Sequence, residues 1–126
     1  MYSRETLPLA PRLRWGAAVE MAAHVTLRFA LHRGRPIPEP RLRTSPTARR
    51  SEGTCFMTTA HGPDLFASSQ QAIRYMIDHL VAERGLSREQ AYILSSVAVD
   101  LSISEIVDAP NWIVSASLPE SIFAGG

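Results

Sequence analysis

Between Ile73 and Leu101 the apolar residues of this chain recur every three to four positions, and on both sides of that stretch they recur every two. That double change of period restricts the fold more than any other feature. It calls for helices inserted between strands, a fold of class α+β.

Two helices are expected. Asp64 follows the turn His61-Gly62-Pro63 and suits an N-cap. Ile73, Met76, Ile77, Leu80 and Val81 then fall on one helical face, with Gln71, Arg74 and Asp78 turned outward. Gly85 suits the left-handed residue past the helix end, with Leu86 as its hydrophobic contact. Ser87-Arg88-Glu89-Gln90 reads as a capping box that starts a second helix, with Leu94, Val97, Ala98 and Leu101 as its apolar face. So short a link suggests that the two helices pack together.

The flanks read as strands. Upstream, Val25, Leu27, Phe29 and Leu31 alternate with His24, Thr26, Arg28, Ala30 and His32, the pattern of a half-buried strand. Gly34 turns the chain. The prolines at 36, 38, 40 and 46 favour polyproline II or an edge segment, with Leu42 in a short edge strand. Residues 45–53 read as a mobile polar loop. Thr54–Ala60 reads as the next strand. Downstream, Ile103–Val107 and Trp112–Leu118 are strands joined by the turn residues Asp108-Ala109-Pro110-Asn111. The expected order is β-loop-β-α-α-β-β. Residues 1–14, broken by Pro8 and Pro11, form a poorly ordered lead-in, and residues 15–126 form the domain.

Composition bounds the function. A length of 126 residues favours one domain. No apolar run approaches the ~20 residues of a membrane span, and no secretory signal is visible. One cysteine, Cys55, excludes an internal disulfide and points to the cytosol. The net charge of +1 hides a split: ten Arg against three acids in residues 1–50, then three Arg against nine acids. A basic half invites nucleic acid. However, the arginines alternate with apolar residues as on a solvated strand face, and no stacking motif or recognition helix accompanies them.

The candidate chemistry is sparse. His24 and His32 stand about 26 Å apart along their strand and cannot share a metal. His79 has at most one further metal ligand at helical spacing. His61, in a turn before a helix N-terminus, stands where anions and polarised substrates bind; its plain alternative is a surface turn histidine. Cys55 has no patterned base. Glu20, Asp100 and Asp108 border apolar runs, where a carboxylate must be paired, protonated or ligated. Asp108 also suits a turn cap, and Asp100 a bond to backbone N–H groups where helix passes into strand.

Three blocks carry a resemblance. The first is Gly16-Ala-Ala-Val-Glu20-Met with Val25-Thr-Leu-Arg-Phe29. The second is Thr58-Thr59, Gly62, Asp64-Leu65 and Met76-Ile77-Asp78. The third runs from Leu86-Ser87 through Ser96-Val97-Ala-Val-Asp100 and Ile103-Ser-Glu-Ile-Val-Asp108-Ala-Pro-Asn111 to Leu118-Pro119 and Ile122-Phe123. Together they resemble the C-terminal portion of the acetamidase/formamidase family. The resemblance implies a piece of a larger, mainly-β amidase fold that hydrolyses the C–N bond of short linear amides such as formamide or acetamide. It also implies a divalent metal such as zinc with ligands mostly in the missing half, where the family carries Asp-x-His and Gly-Asp-Gly-Glu segments that this sequence lacks. On the matching positions Glu20, Asp100, Asp108 and Asn111 are the candidate catalytic residues, and His61 is a candidate substrate-binding residue. The expected partners are a small amide and either a second copy or a polypeptide carrying the N-terminal half. The other reading is a non-enzymatic interaction module.

Overall fold

The computed structural model describes residues 22, 24–34, 36–44, 53–107 and 109–123. Glu20, Asp108, the lead-in 1–14 and most of the expected 45–53 loop lie outside them.

Four antiparallel strands form one sheet in the order β1-β2-β4-β3. They are β1 (Arg41–Arg43), β2 (Cys55–Gly62), β3 (Asp100–Glu105) and β4 (Trp112–Pro119). The helices α1 (Leu65–Arg84) and α2 (Arg88–Ala98) connect β2 to β3. A short 3-10 helix, Glu120–Phe123, follows β4. The α+β class and the central helix pair thus match the sequence pattern.

The helix boundaries follow from local chemistry. The Asp64 side chain accepts from Ala67 N at 2.7 Å and so satisfies one free amide of the first turn. Gly85 closes α1 at φ 65°, and its N–H donates to Val81 O. At α2, Ser87 Oγ accepts from Gln90 N while Gln90 Oε1 accepts from Ser87 N, a reciprocal capping box.

The core lies between the sheet and the helices. Ala60, Val114, Ala116 and Leu118 meet Ala72, Met76, Ile77, Leu80 and Ala91. Thr58 is fully buried there, its hydroxyl donating to Ala72 O at 2.8 Å. The helix-facing side of β2 therefore carries Phe56, Thr58 and Ala60, while Cys55, Met57, Thr59 and His61 stand on the far side.

Several expectations change. Residues 24–32 form no strand, and Val25, Leu27, Phe29 and Leu31 are 72%, 66%, 88% and 78% exposed. Alternation makes a half-buried strand only where a ladder partner exists. Here β1 occupies the outer edge of β2, and β4 sits between β2 and β3. The helix α2 turns Ala91, Leu94, Ser95 and Ala98 inward, so Leu94 and Ala98 of the expected stripe pack on the core while Val97 points out. Ser95 tolerates burial because its hydroxyl donates to Ala91 O. Leu101 and Asp100 belong to β3, since α2 stops at Ala98. β3 thus starts and ends earlier than the expected Ile103–Val107.

Candidate functional site

The end of the sheet where β2 finishes and β4 begins gathers the most polar chemistry. Gly62 pairs with Trp112 and His61 with Ile113. His61 is therefore the penultimate residue of β2, and the turn proper is Pro63-Asp64. The indole N–H of Trp112 donates to Pro63 O at 3.0 Å and ties this turn to β4. A side chain at position 62 would meet Ser68 Oγ at 3.2 Å, so glycine lets the first turns of α1 sit close to the strand.

Strand alternation turns His61 to the face away from the helices. Its Nδ1 meets Glu39 Oε1 at 2.8 Å, with the His61 side chain 58% exposed and Glu39 19%. The sequence suggested instead that His61 serves the N-terminus of α1. That N-terminus is occupied by its own cap, Asp64. Glu39 was not singled out in the sequence, because a lone acid between Pro38 and Pro40 looks like loop. The prolines hold its backbone extended beside β2, and Thr59 Oγ1 anchors it by donating to Pro40 O at 2.8 Å.

The remaining candidates divide. Asn111 is exposed and immediately precedes Trp112, at the same sheet end as His61. Asp100 pairs with Ser117, about 17 Å along β4 from Trp112. It is exposed at the opposite end and does not join the others. Glu20 and Asp108 lie outside the described residues. His24 and His32 are exposed, and Cys55 is buried and free.

His79 is the residue whose setting the sequence hid. It is buried on α1 with its ring stacked on Phe56, centroids 3.6 Å apart. Its Nδ1 is buried without a hydrogen-bond partner. Burial pushes its pKa below the ordinary 6.5; Arg41, Arg84 and Arg43 add to that, and Glu83 opposes it. Phe56 lies near the start of β2 and His61 near its end, so His79 is not part of the same site.

The arrangement at His61 is suited to proton transfer. A carboxylate on Nδ1 fixes the imidazole tautomer and leaves Nε2 as the acceptor. Amide hydrolysis also needs a polarised carbonyl and an activated water. Among the described residues no three His, Cys, Asp or Glu side chains converge as a metal site. These residues do not fit the metal implied by the resemblance, beyond one histidine and its carboxylate. A shallow, mostly apolar depression of about 440 Å³ lies on the helix side, lined by Ile77, Arg88, Glu89, Tyr92 and Ile93. It holds none of the candidate groups.

Comparison with known proteins supplies what the local geometry lacks. No curated protein matches the chain. Among solved structures, an acetamidase from Bacillus halodurans superposes with a TM-score of 0.51 at 37% identity, covering 56% of this chain and 23% of that one. A predicted acetamidase/formamidase from the thermophile Thermoanaerobacter tengcongensis has the same TM-score and coverage at 27% identity. The chain thus spans about a quarter of the length of these structures. The Acetamidase/Formamidase family matches residues 13–125, which is nearly the whole sequence. The chain belongs to the acetamidase/formamidase family.

Proposed function

We propose that this chain is the C-terminal portion of an amide hydrolase that cleaves the C–N bond of short linear amides, formamide or acetamide in kind, to ammonia and a carboxylate. The family match over residues 13–125 carries this reading. The identity to the Bacillus halodurans acetamidase supports the substrate class.

The described residues offer proton transfer at His61 and a neighbouring amide side chain at Asn111. We assign Asn111 and His61, with Asp108 and Glu20 by their motif positions, to the substrate-facing side of the complete site. Asp100 keeps its motif assignment although it stands at the other end of the sheet, apart from His61 and Asn111. A metal such as zinc, and the groups that polarise the carbonyl, come from the N-terminal portion of the fold. The cytosol is the proposed compartment, supported by the single free cysteine.

The test is ammonia release from formamide and acetamide, measured on the chain alone and with a family N-terminal portion supplied. No release alone and release on addition are expected. Turnover by the chain alone at enzymatic rates overturns the incompleteness, and no turnover in either arm overturns the hydrolase reading. The second reading, a non-enzymatic interaction or oligomerisation module, draws on the exposed apolar side chains of residues 24–32. Size-exclusion chromatography tests it: a monomer that binds no partner counts against it.

A further inference from the structure

Three arginines and a buried histidine meet where β1 lies along β2. The register sets Arg43 opposite Phe56 and Arg41 opposite Thr58, so both arginines rise on the helix-facing side of the sheet. There the His79 ring lies flat on Phe56, with Nδ1 buried and unpartnered. Arg84 comes from the same helix as His79, and its guanidinium sits over the Phe123 ring, 4.1 Å from the centroid. Glu120 takes Arg43 at 2.8 Å and stands 3.9 Å from Arg84. On α1 itself Tyr75 and Glu83 stand one turn before and after His79. The helix-facing residues of β2 and β4 are not ionisable. Among the described residues no carboxylate pairs with Arg41. The surroundings of His79 thus hold three arginines against two carboxylates, Glu83 and Glu120. Burial and then Arg41 already disfavour a proton on its ring.

The two sides of this cluster are held unequally. Met76 and Leu80, both fully buried, fix α1, and the Thr58 hydroxyl on Ala72 O locks it to β2. β1 has three ladder positions and buries no side chain fully: Arg41 is half-buried, and Leu42 and Arg43 are exposed. Beyond the ladder, Thr44 N donates to Cys55 O at 2.9 Å and Thr59 Oγ1 to Pro40 O at 2.8 Å. A proton on His79 adds a fourth cation to a site that hydrates it poorly. Moving α1 would open the core. Lifting β1 breaks a few edge hydrogen bonds, takes away two of the cations and lets in water.

We propose that His79 is an acid-triggered release for the edge strand: its protonation drives residues 40–44 off β2 through Arg41 and Arg43, while α1, α2 and the other three strands stay folded. The released segment continues into Glu39, so the carboxylate on His61 loses its anchor as well. His61 opposes the release, because its own protonation turns the Glu39 contact into an ion pair. That pair is half-exposed and screened, and the buried charge at His79 outweighs it. The device belongs to the chain's own packing and does not depend on the hydrolase reading.

The test is amide hydrogen exchange of the full chain at about pH 7.5 and 5.5, with protection corrected for the intrinsic rate at each pH. The Thr44 amide reports on β1, since it donates to Cys55 O, and the amides of Leu80 in α1 and Ala116 in β4 report on the rest. At Thr44 protection should fall severalfold on acidification, up to the factor of about ten that one histidine of ordinary open-state pKa supplies over this range. Leu80 and Ala116 should change less than about twofold. His79→Phe keeps a stacked ring and should abolish the fall. Arg41→Gln, at a half-buried edge position outside the core, should shrink it and decides the matter if His79→Phe does not fold. His61→Asn removes the opposing pair and should leave the fall in place or deepen it. Four results overturn the proposal. They are no fall at Thr44, an equal fall at all three amides, a fall that survives undiminished in His79→Phe or in Arg41→Gln, and a fall lost in His61→Asn.

Discussion

His79 holds its ring flat on Phe56 with Nδ1 buried and unpartnered. Its folded pKa lies below the ordinary 6.5, first through burial and then through Arg41. Below about pH 6.5 the unfolded chain therefore binds more protons at this site than the folded one. Stability is fully present above that pH and falls as the pH drops toward the folded pKa. His79→Phe keeps a stacked ring and removes both the proton site and the unsatisfied nitrogen. It should raise stability at pH 7.5 by about 1 kcal/mol and flatten the fall of Tm between pH 7.5 and 5.5. An unchanged pH slope would show that His79 is not the titrating group. The His61–Glu39 pair is a different case. Half-exposed and screened, it contributes under about 1 kcal/mol, so Glu39→Gln should barely move Tm. It should instead shift the His61 tautomer balance seen in the ring 15N resonances, and no shift there would remove the carboxylate from its positioning role. Neither environment shows in the sequence. Helical spacing gives His79 a face but not the Phe56 ring that covers it, and Glu39 reaches His61 only through a chain path 22 residues apart.

At the scale of elements, the helices were legible and the first strand was not, for one physical reason. A helix satisfies its backbone within itself, so Asp64, Gly85 and the Ser87–Gln90 box are local signals that fix its ends. A strand needs a partner whose position no local pattern reveals, so residues 24–32 read as strand and are not one. The strands that did form, β2 and β4, alternate no better than 24–32 but pair with each other along eight positions. The same locality makes the caps testable. Ser87→Ala removes the acceptor for Gln90 N and should cost about 1 kcal/mol. Gly85→Ala puts a Cβ at φ 65° and should cost about 1 kcal/mol, with nothing nearby to clash. The two changes sit only two residues apart in the α1–α2 joint, so urea midpoints of the double variant should show losses that depart from additivity by about 0.5 kcal/mol or more. Simple additivity would mean that the two caps act independently.

For the whole molecule, the sheet and helix pair share one core, and residues 24–34 lie outside any helix or strand. The site candidates reflect the same division. Motif order alone placed Asp100, Asp108 and Asn111 together, but the β3–β4 register sends Asp100 to one end of the sheet and Asn111 to the other. A hairpin brings residues together only across its ladder, and sequence proximity across a turn does not reveal that. Cleavage should follow the packing too. A protease needs accessible, extended chain, and a packed helix must open before it is cut. Among the described arginines, trypsin at low dose should cut first after Arg28 and Arg33, both exposed outside any element, and last after Arg74 and Arg84 of α1 and Arg88 of α2. Mass spectrometry of the time course gives the order. Leu80→Ala, which empties a fully buried core position at a cost of about 2–5 kcal/mol, should speed the helix cuts and leave those after Arg28 and Arg33 unchanged. If the helix cuts keep their rate in that variant, or the early and late sites are cut together in the parent chain, the segment 24–34 and the packed body open as one unit and the division is wrong.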